Sequence, residues 1–529
     1  MPSTWASIVA AAALLDVVTA QQRGASAEEQ PSMPIQECTL EKGCQPEPAN
    51  VVMDMNWRWL HNKDGSNNCQ LDGKWDPSLC SNDEQCMRNC ALEGVNAQGY
   101  SQAYKAETVA NNGLKLTFPK APRVYMTESS GDRYKMFKLL NREFAFDVDV
   151  STLPCGMNAA LYFVEMPADG DMGGANTVGA KYGAGYCDAQ CPHMRVIGDK
   201  ANLNNWKTHL AKNPDGKWIE VGPEGELGNC CAEMDLFEAN TQAAQFTAHP
   251  CLKPGRAHCV GDEQCGNKDK NITGWCDKDG CGMNAYRSGV KDFWGNGPNF
   301  TVDTSRPLTV ITQFITTDGT DTGDLREIRQ KYVQDGKVIH FPETANLPNN
   351  SDMSLNDDLC QVQADTYKDS DGFRKLGGIQ AMGAALGRGM VLTMSIWDDN
   401  FGRMLWLDAE KDKIDANPHD LGVSRGPCKF YYGADKDMKD YLQTDGDVQV
   451  TFSNVRVGEI GSTGVSKATP ERKFDILPSG VATGREPAGP RAWCVVAALG
   501  AMATAGLMVL RHWSMAAEDA ETRELLVVA

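Results

Sequence analysis

The sequence predicts an all-β fold, built as one large antiparallel sandwich. Apolar residues alternate with polar ones at 144–150 and 448–452, as expected of strands that bury one face. Continuous apolar runs of strand length occur at 161–166, 308–316 and 389–397. The 51 glycines and 25 prolines indicate long loops, and amphipathic helices are scarce. Because these strands are spread over roughly 400 residues without an internal repeat, one sandwich is favoured over several modules.

Few other elements are indicated between the strands. Residues 332–339 are typical of a hairpin, with Asp335-Gly336 at the turn. Residues 377–387 and 436–442 each predict a short helix. These short helices would decorate the sandwich without forming a second layer.

The N-terminal residues 1–20 predict a signal peptide. An apolar, Ala-rich run at 8–15 is followed by Val18-Thr19-Ala20, small residues that suit cleavage. The run is interrupted by Asp16 and has no Lys or Arg before it, so a short N-terminal membrane anchor is the alternative.

The cysteines indicate an oxidising compartment. The chain has 19 cysteines, and no Cys-x-x-Cys pair is followed by a second pair or a His pair at zinc spacing, so disulfides are favoured over metal sites. Without Cys494, eighteen remain between Cys38 and Cys428, an even set. Sequons at Asn271, Asn299 and Asn349 fit a secreted, glycosylated surface.

The net charge of −19 makes nucleic acid and anionic membrane surfaces poor partners. A neutral or cationic substrate suits this chain better. No pattern implies a metal or an organic cofactor, and we expect the folded domain to be monomeric.

The C-terminal part differs in composition from the rest. We expect the folded domain to span 21–464 and a Pro-, Gly- and Ser-containing linker to follow at 465–492. Residues 493–510 form an uncharged apolar run of nearly membrane-spanning length, and 511–529 form a short polar tail. A polar tail is unlike a GPI signal, so the sequence predicts a single C-terminal membrane span.

Two tryptophans near the N-terminus suggest a surface for sugars. We interpret Asn56-Trp57-Arg58-Trp59-Leu60-His61 as a strand with Trp57 and Trp59 on one face and Arg58 on the other. Two buried core tryptophans are the alternative. On the exposed interpretation, the indole rings would form a platform for the apolar faces of sugar rings.

The stretch 229–240 carries the strongest chemical signal, with three carboxylates in six residues beside Cys230 and Cys231. Glu233 and Asp235 share a face of an extended strand, whereas Glu238 joins them only if the strand bulges between Asp235 and Glu238. Carboxylates crowded on one face repel, so one must hold a proton, which supplies an acid and a base from one residue type. An acidic, solvated strand edge is the alternative.

With its neighbouring motifs, this stretch resembles glycoside hydrolase family 7, the cellobiohydrolases and endoglucanases of cellulose breakdown. The resemblance extends from about Cys38 to Gly464. It rests on these blocks: Asn56-Trp57-Arg58-Trp59, Tyr186-Cys187-Asp188-x-Gln190-Cys191-Pro192, Cys230-Cys231-x-Glu233-Met234-Asp235-x-x-Glu238-Ala239-Asn240, His249-Pro250-Cys251, Asn284-x-Tyr286-Arg287, Ser395-Ile396-Trp397-Asp398-Asp399, Met404-Leu405-Trp406-Leu407-Asp408 and Arg425-Gly426-x-Cys428.

The resemblance implies a jelly-roll of two large curved antiparallel sheets, with long loops forming a cleft or tunnel. It implies that Glu233 is the nucleophile and Glu238 the general acid/base of a retaining double displacement, which needs two carboxyls ~5–5.5 Å apart. Asp235 would lie between them, hydrogen-bonded to Glu233, and His249 would sit near the acid/base. A structural histidine before Cys251 is the alternative for His249.

The resemblance also implies a path for the glucan. Trp57 and Trp59 would line its far glycone end, and Trp397 and Trp406 would stack sugars on either side of the cut bond. Arg287 and Arg425 would hold the product sugars. The remaining matched positions along the path are Arg123, Asn158, Tyr162, Tyr186, Asp188, Gln190 and Asp279.

The family connectivity consumes all eighteen cysteines. The implied disulfides are Cys38–Cys44, Cys69–Cys90, Cys80–Cys86, Cys155–Cys428, Cys187–Cys231, Cys191–Cys230, Cys251–Cys276, Cys259–Cys265 and Cys281–Cys360.

Some positions depart from the family pattern. Phe237 replaces a commoner tryptophan, Gly282 stands where an aspartate is usual, and Arg195 is the stand-in for a lysine. The loop between Cys265 and Cys276, on the expected product side, carries Lys268, Lys270 and Asn271 where an arginine is typical.

Loop lengths favour an enclosed tunnel. The segment 201–229 is long, and the segment 259–281 is retained. We therefore expect an exo-acting cellobiohydrolase that releases cellobiose from β-1,4-glucan and is secreted or held at the cell surface. The alternatives are an endo-acting β-1,4-glucanase that remodels the cell's own wall, and a non-catalytic cellulose-binding surface protein.

Overall fold

Two large β-sheets face each other across one apolar core. The computed structural model describes residues 22–213, 216–266, 274–348, 353–399, 401–413, 416–429 and 448–464. The predicted signal peptide, linker, C-terminal span and polar tail lie outside these residues, as do the helix expected at 436–442 and the sequons at Asn271 and Asn349. In the described ranges, no helix has both the length and the apolar character needed to cross a bilayer.

The strands, in chain order, are β1 (Gln22–Arg23), β2 (Ile35–Thr39), β3 (Gly43–Glu47), β4 (Ala49–Met53), β5 (Leu60–Asn62), β6 (Gln70–Leu71), β7 (Lys74–Trp75), β8 (Cys90–Leu92), β9 (Ala106–Val109), β10 (Gly113–Thr117), β11 (Val124–Glu128), β12 (Met136–Phe137), β13 (Arg142–Asp149), β14 (Met157–Val164), β15 (Val196–Ile197), β16 (Lys200–Ala201), β17 (Lys207–Lys212), β18 (Trp218–Glu224), β19 (Leu227–Cys230), β20 (Glu233–Ala239), β21 (Ala244–His249), β22 (Ala257–Val260), β23 (Cys281–Asn284), β24 (Trp294–Gly295), β25 (Val302–Asp303), β26 (Leu308–Thr316), β27 (Leu325–Gln334), β28 (Lys337–His340), β29 (Met390–Asp398) and β30 (Gln449–Glu459). The α-helices are α1 (Asp83–Asn89), α2 (Ala97–Gln102), α3 (Gly261–Cys265), α4 (Asp357–Tyr367), α5 (Gly372–Lys375), α6 (Gly378–Arg388) and α7 (Leu405–Asp408), and 3-10 turns occur at Met55–Trp57 and Gly179–Tyr182.

The two large sheets confirm the predicted sandwich, which is the jelly-roll implied by the resemblance. One sheet has the order β28-β27-β26-β13-β30-β10-β9, with β2 and β3 attached to β30, and the other has the order β23-β21-β20-β14-β29-β11-β4, with β12 attached to β29. Their pairings are antiparallel except for β2 beside β30.

Aromatic side chains from the two sheets pack against each other in the core. Phe144 and Phe146 of β13 point into the core, where Phe144 meets Phe163 of β14 edge-on at 5.0 Å between ring centroids, and Phe146 meets Phe237 of β20 at 5.8 Å. The predicted alternation at 144–150 therefore places every second residue between the sheets. Phe237, the departure from the family tryptophan, fills this core.

Two local predictions are confirmed and one is wrong. Strands β27 and β28 form a hairpin around Asp335-Gly336, and α6 covers the helix expected at 377–387. Asn56–His61 is not one strand: Trp57 ends a 3-10 turn, and Trp59 precedes β5. The turn forms because the Asp54 carboxylate accepts the backbone N–H of Asn56 at 2.7 Å, which favours a turn over an extended chain.

Nine disulfides join the same pairs that the resemblance implies. Cys187–Cys231 and Cys191–Cys230 tie the start of β20 to the loop 187–191. The acidic strand is therefore held against one wall of the site.

Candidate active site

A β-bulge in β20 brings the three acidic side chains to one face. Asp235 pairs with Thr247 of β21, and Glu238 pairs with Gln245. Between these two pairs β20 therefore has one residue more than β21. Along β14, Phe237 and Asp235 oppose consecutive residues, which leaves Leu236 as the extra one. Leu236 and Phe237 both enter the core, and Glu238 returns to the face of Glu233 and Asp235. The bulge predicted from the parity of these positions is confirmed.

The same face collects residues from the neighbouring strands. Asn158 of β14 is in register with Trp397 of β29, and Tyr162 of β14 is in register with Asp235. Side chains of directly opposed residues share a face. The eight-stranded sheet therefore presents acids, an amide, a phenol and an indole on one surface.

Burial and mutual repulsion set the protonation of the acids. Glu233, Asp235 and Glu238 are each at most 8 % exposed. Burial, with the charge of Asp235, raises the pKa of Glu238 to about 8 and holds that of Glu233 well above its usual range. Desolvation disfavours a charge, and neighbouring carboxylates add to the effect. The cluster therefore retains protons that isolated carboxyls would lose near neutral pH.

The two glutamates have different partners. Glu233 accepts the backbone N–H of Ala189 at 3.1 Å, from the loop that the disulfides tie to β20. Glu238 accepts Asn158 Nδ2 on Oε1 and Gln245 Nε2 on Oε2, both at 3.0 Å. Gln245 was not identified from the sequence, although its parity with His249 along β21 was a usable signal.

His249 is paired with Asp235. Its Nε2 lies 3.0 Å from Asp235 Oδ2, and its Nδ1 lies 2.7 Å from the carbonyl of Asp277. A carboxylate oxygen and a carbonyl oxygen can both accept, an arrangement that suits an imidazolium donating from both ring nitrogens. Burial alone lowers the pKa of His249, but the hydrogen bond and charge of Asp235 outweigh it and raise the pKa to about 10. The histidine thus compensates the charge of the central carboxylate, and its charge also acts on Glu238, the residue near which the resemblance implied it would lie.

A glycine permits this arrangement. Gly280 has φ +67°, and a Cβ there would lie 2.5 Å from His249 Cε1. The loop 277–280 can therefore approach the imidazole only with glycine at this position. Gly282, where the family usually has an aspartate, pairs with Thr247 of β21. Thr247 in turn pairs with Asp235 of β20.

The residues expected on the glycone side form a connected polar wall. Tyr162 and Tyr186 share a hydrogen bond at 3.0 Å between their hydroxyls, and Tyr186 donates to Asp188 at 2.6 Å. The Arg123 guanidinium lies 3.3 Å from the centroid of the Tyr186 ring and donates to Asp54 at 2.7 Å. Four predicted residues, Arg123, Tyr162, Tyr186 and Asp188, are thus brought together, with Asp54 as a partner that the sequence reasoning missed.

Trp57 and Trp59 are placed differently from each other. Trp57 is half-buried, and its ring lies 5.6 Å from the Arg123 guanidinium, so it continues the polar wall. Trp59 is 45 % exposed and lies against His61 at 4.1 Å between centroids. Arg195, the expected lysine substitute, donates to three backbone carbonyls of this turn, including that of Arg58 at 2.6 Å.

Trp397 and Trp406 are neighbours. Their rings are 5.9 Å apart and inclined by 26°, and Trp406 Nε1 donates to Asp399 at 3.0 Å. Both are half-buried, which leaves part of each indole open to a ligand. Trp397 is held by β29 and Trp406 by α7.

The predicted product-side residues gather around the segment after α4. Arg287 donates to both oxygens of Asp369 at 2.8 and 2.7 Å, and Ser370 Oγ contacts Asp279 at 3.3 Å. Burial and the charge of Arg287 lower the pKa of Arg425 to about 10. Asp369 was missed because no motif marks it.

Loops from both sides meet near the acids. Gln190 Nε2 donates to the carbonyl of Lys278 at 2.7 Å, which joins the loop 187–191 to the loop 277–280. The long segment 201–229 contains β17 and β18, which pair as an antiparallel ribbon with Leu210 and Trp218 exposed.

Comparisons with known proteins identify the family of this chain. The model of a family described as glycosyl hydrolase family 7 matches residues 23–464. A family 7 cellobiohydrolase from Daphnia pulex is 42% identical, with 84% of this chain and 100% of that chain covered and a TM-score of 0.76. The endocellulase EGI of Humicola insolens is 36% identical, with 84% and 100% covered and a TM-score of 0.68. A cellobiohydrolase from Melanocarpus albomyces, complexed with cellotetraose, is 35% identical, with 83% and 99% covered and a TM-score of 0.72. The chain therefore belongs to glycosyl hydrolase family 7.

Proposed function

We propose that this protein hydrolyses β-1,4-glucosidic bonds of cellulose with retention of anomeric configuration, as an exo-acting cellobiohydrolase that releases cellobiose. The observation that carries the proposal is the bulge that puts Glu233, Asp235 and Glu238 on one face beside two tryptophans. An acid with a raised pKa can hold a proton for the leaving oxygen near neutral pH, and the raised pKa of Glu238 suits it to that role.

In the proposed mechanism, the two glutamates share one proton, which Glu238 carries. The Glu233 carboxylate, which accepts the backbone N–H of Ala189, attacks the anomeric carbon while Glu238 protonates the departing sugar oxygen. A covalent glycosyl ester on Glu233 results. Glu238 then removes a proton from water, which attacks the same carbon and releases the sugar from Glu233. Asp235 and His249 form a buried ion pair whose charges act on both glutamates.

Exo action is supported by the loops. The contact between Gln190 and Lys278 joins two loops beside the acids, as expected of a covered cleft. The Melanocarpus relative binds cellotetraose, a ligand that would fit an extended path of this kind. The nine disulfides suit a secreted or cell-surface enzyme, which is the location we propose.

Endo action is the second candidate, because an endocellulase matches the same share of this chain at 36% identity. Product analysis on crystalline cellulose tests the difference. An exo enzyme gives mainly cellobiose from the earliest times and leaves the viscosity of a soluble cellulose derivative nearly constant, whereas an endo enzyme lowers that viscosity quickly.

Replacing the nucleophile tests the catalytic proposal. Glu233→Gln should lower turnover of an aryl cellobioside by at least about 1,000-fold, because no covalent intermediate can form. Asp321→Asn, at an exposed turn, is the control and should keep wild-type turnover. Wild-type turnover by Glu233→Gln would refute the assignment, and inactivity of the wild-type protein would favour a non-catalytic cellulose-binding role.

A further inference from the structure

Gln245 lies directly opposite Glu238 in the strand pair that carries the bulge. Its Nε2 is 3.0 Å from Glu238 Oε2, while Asn158 Nδ2 from the strand on the other side is 3.0 Å from Oε1. Asn158 is fully buried and Gln245 is half-buried. Each carboxyl oxygen is thus held by an amide N–H from a different flanking strand.

This clamp favours one of the two states of Glu238. Amide N–H groups donate and so stabilise a carboxylate, whereas they offer the acidic proton no acceptor. Glu238 becomes a carboxylate when its proton passes to the glycosidic oxygen, the bond from that oxygen to the anomeric carbon breaks and the ester bond to Glu233 forms. It regains a proton from water when the water oxygen bonds to the anomeric carbon and the ester breaks. The clamp therefore complements the charge that exists between the two steps.

We propose that Gln245 is a positioning residue that orients the Glu238 carboxyl and lowers the upper pH limit of activity, an inference that rests on the proposed function.

Other charged groups act on Glu238 from the same surroundings. Asp235, on the same strand, raises the pKa of Glu238, as burial does to a greater extent; His249 of β21 lowers it. Asp235 and Glu233 share the face of Glu238, and Asn158 on β14 is uncharged. The hydrogen bond from Gln245 opposes burial and Asp235 and lowers the pKa of Glu238. Removing Gln245 should raise that pKa further. Because Glu238 must be protonated for the first step, the alkaline limb of the activity profile would then move to higher pH.

The test is the pH dependence of kcat/KM for 4-nitrophenyl cellobioside. Gln245→Leu should move the alkaline limb up by about one pH unit, the size expected for losing one hydrogen bond to a charged group. Gln245→Asn, which keeps an amide, should show a smaller movement. The matched control is Gln313→Leu: Gln313 is a half-buried strand residue whose Nε2 donates to the carboxylate of Glu143 at 2.8 Å, in the other sheet. The alkaline limb of the Gln313→Leu profile should stay at the wild-type pH.

Leaving-group dependence separates positioning from general loss of structure. 2,4-Dinitrophenolate departs without a proton, so Gln245→Leu should keep near wild-type kcat/KM on its cellobioside. With a phenyl cellobioside, kcat/KM at the wild-type optimum should fall about 10-fold, because the departing phenolate needs the proton. An equal loss on both substrates, or an unmoved alkaline limb in a folded variant, would overturn the proposal. If Gln245→Leu does not fold, Gln245→Met gives the same readouts.

Wild-type activity distinguishes this inference from the proposed function. A wild-type enzyme without turnover on these cellobiosides refutes both. If the wild-type enzyme is active and the alkaline limb is unmoved in a folded Gln245→Leu or Gln245→Met variant, only the role of Gln245 is refuted.

Discussion

Each of the two glutamates is defined by its hydrogen-bond partners. Glu233 receives one backbone N–H from a loop fixed by disulfides, and Glu238 receives two side-chain amides from flanking strands. Both are buried beside Asp235, whose charge is balanced by His249. Residues of one chemical type can thus take different roles because their surroundings differ.

Replacing Glu238 should divide the reaction into its two steps. Glu238→Gln should release about one equivalent of 2,4-dinitrophenolate per enzyme in a burst, because that group departs without protonation. Steady-state turnover should then be at least about 100-fold slower than wild type, because glutamine cannot deprotonate water. Rapid-mixing absorbance measurements give both phases.

Azide supplies the control for Glu238→Gln. This anion attacks without a general base, so it should restore steady-state turnover and yield cellobiosyl azide of β configuration. Glu233→Gln should give no burst. An azide product of α configuration would contradict the retaining mechanism.

The sequence could predict the acids and the bulge but not the amide clamp. Glu238 had the wrong parity for the face of Glu233 and Asp235, and only an extra residue could correct it. Gln245 carried no comparable conflict, since a glutamine near the start of a strand fits many roles. The partner of His249 was likewise undetermined, because strand pairing sets which carboxylate the ring meets.

The bulge in β20 is stabilised by a hydrogen bond from the opposite sheet. The Leu236 carbonyl, at the extra residue, accepts Gln330 Nε2 of β27 at 2.7 Å across the core. Gln330 also donates to Thr312 at 3.1 Å and accepts the hydroxyl of Tyr332 at 2.7 Å. A buried polar group without a partner is costly, so this network stabilises the irregular strand. The hairpin predicted at 332–339 covers only the end of β27. This contact depends on how the sheets face each other, which the sequence does not show.

Removing the support should disturb catalysis as well as stability. Gln330→Leu leaves the Leu236 carbonyl and the Tyr332 hydroxyl without their partner, and we expect the free energy of unfolding to fall by about 1–3 kcal/mol. Because Glu238 follows the bulge by two residues, kcat should also fall, by about 10-fold or more. Denaturant unfolding and steady-state kinetics measure the two effects.

Gln334→Leu is the matched control for Gln330→Leu. Gln334 is a buried glutamine of the same strand whose Nε2 donates to the carbonyl of Asp303 at 2.8 Å, within a different set of contacts. It should lose similar stability and keep kcat within about twofold. Equal losses of kcat in both variants would refute a specific role of Gln330.

For the whole molecule, buried acids govern how stability depends on pH. Burial raises the pKa of Asp277 to about 6, that of Asp408 to about 7 and, with Asp235, that of Glu238 to about 8. A group whose pKa is higher in the folded chain binds its proton more tightly there. Stability is therefore greatest below the unfolded pKa and declines as the pH rises through the folded value. The contribution of His249 to stability also declines with rising pH, because its stabilising charge is lost as the pH approaches about 10.

Asp408 allows this dependence to be tested away from the acids on β20. Its Oδ2 accepts the backbone N–H of Gly156 at 2.8 Å and Asn240 Nδ2 at 2.6 Å, and an asparagine oxygen could accept both. A change in pKa from ~3.9 unfolded to about 7 folded corresponds to about 4 kcal/mol of stability lost between those pH values. Asp408→Asn cannot ionise, so its Tm should fall less than that of wild type between pH 4 and pH 8, while Asp321→Asn at an exposed turn should keep the wild-type slope. Calorimetry at several pH values gives the comparison. A wild-type slope in Asp408→Asn would mean that folding does not raise the pKa of Asp408 and that other groups produce the decline.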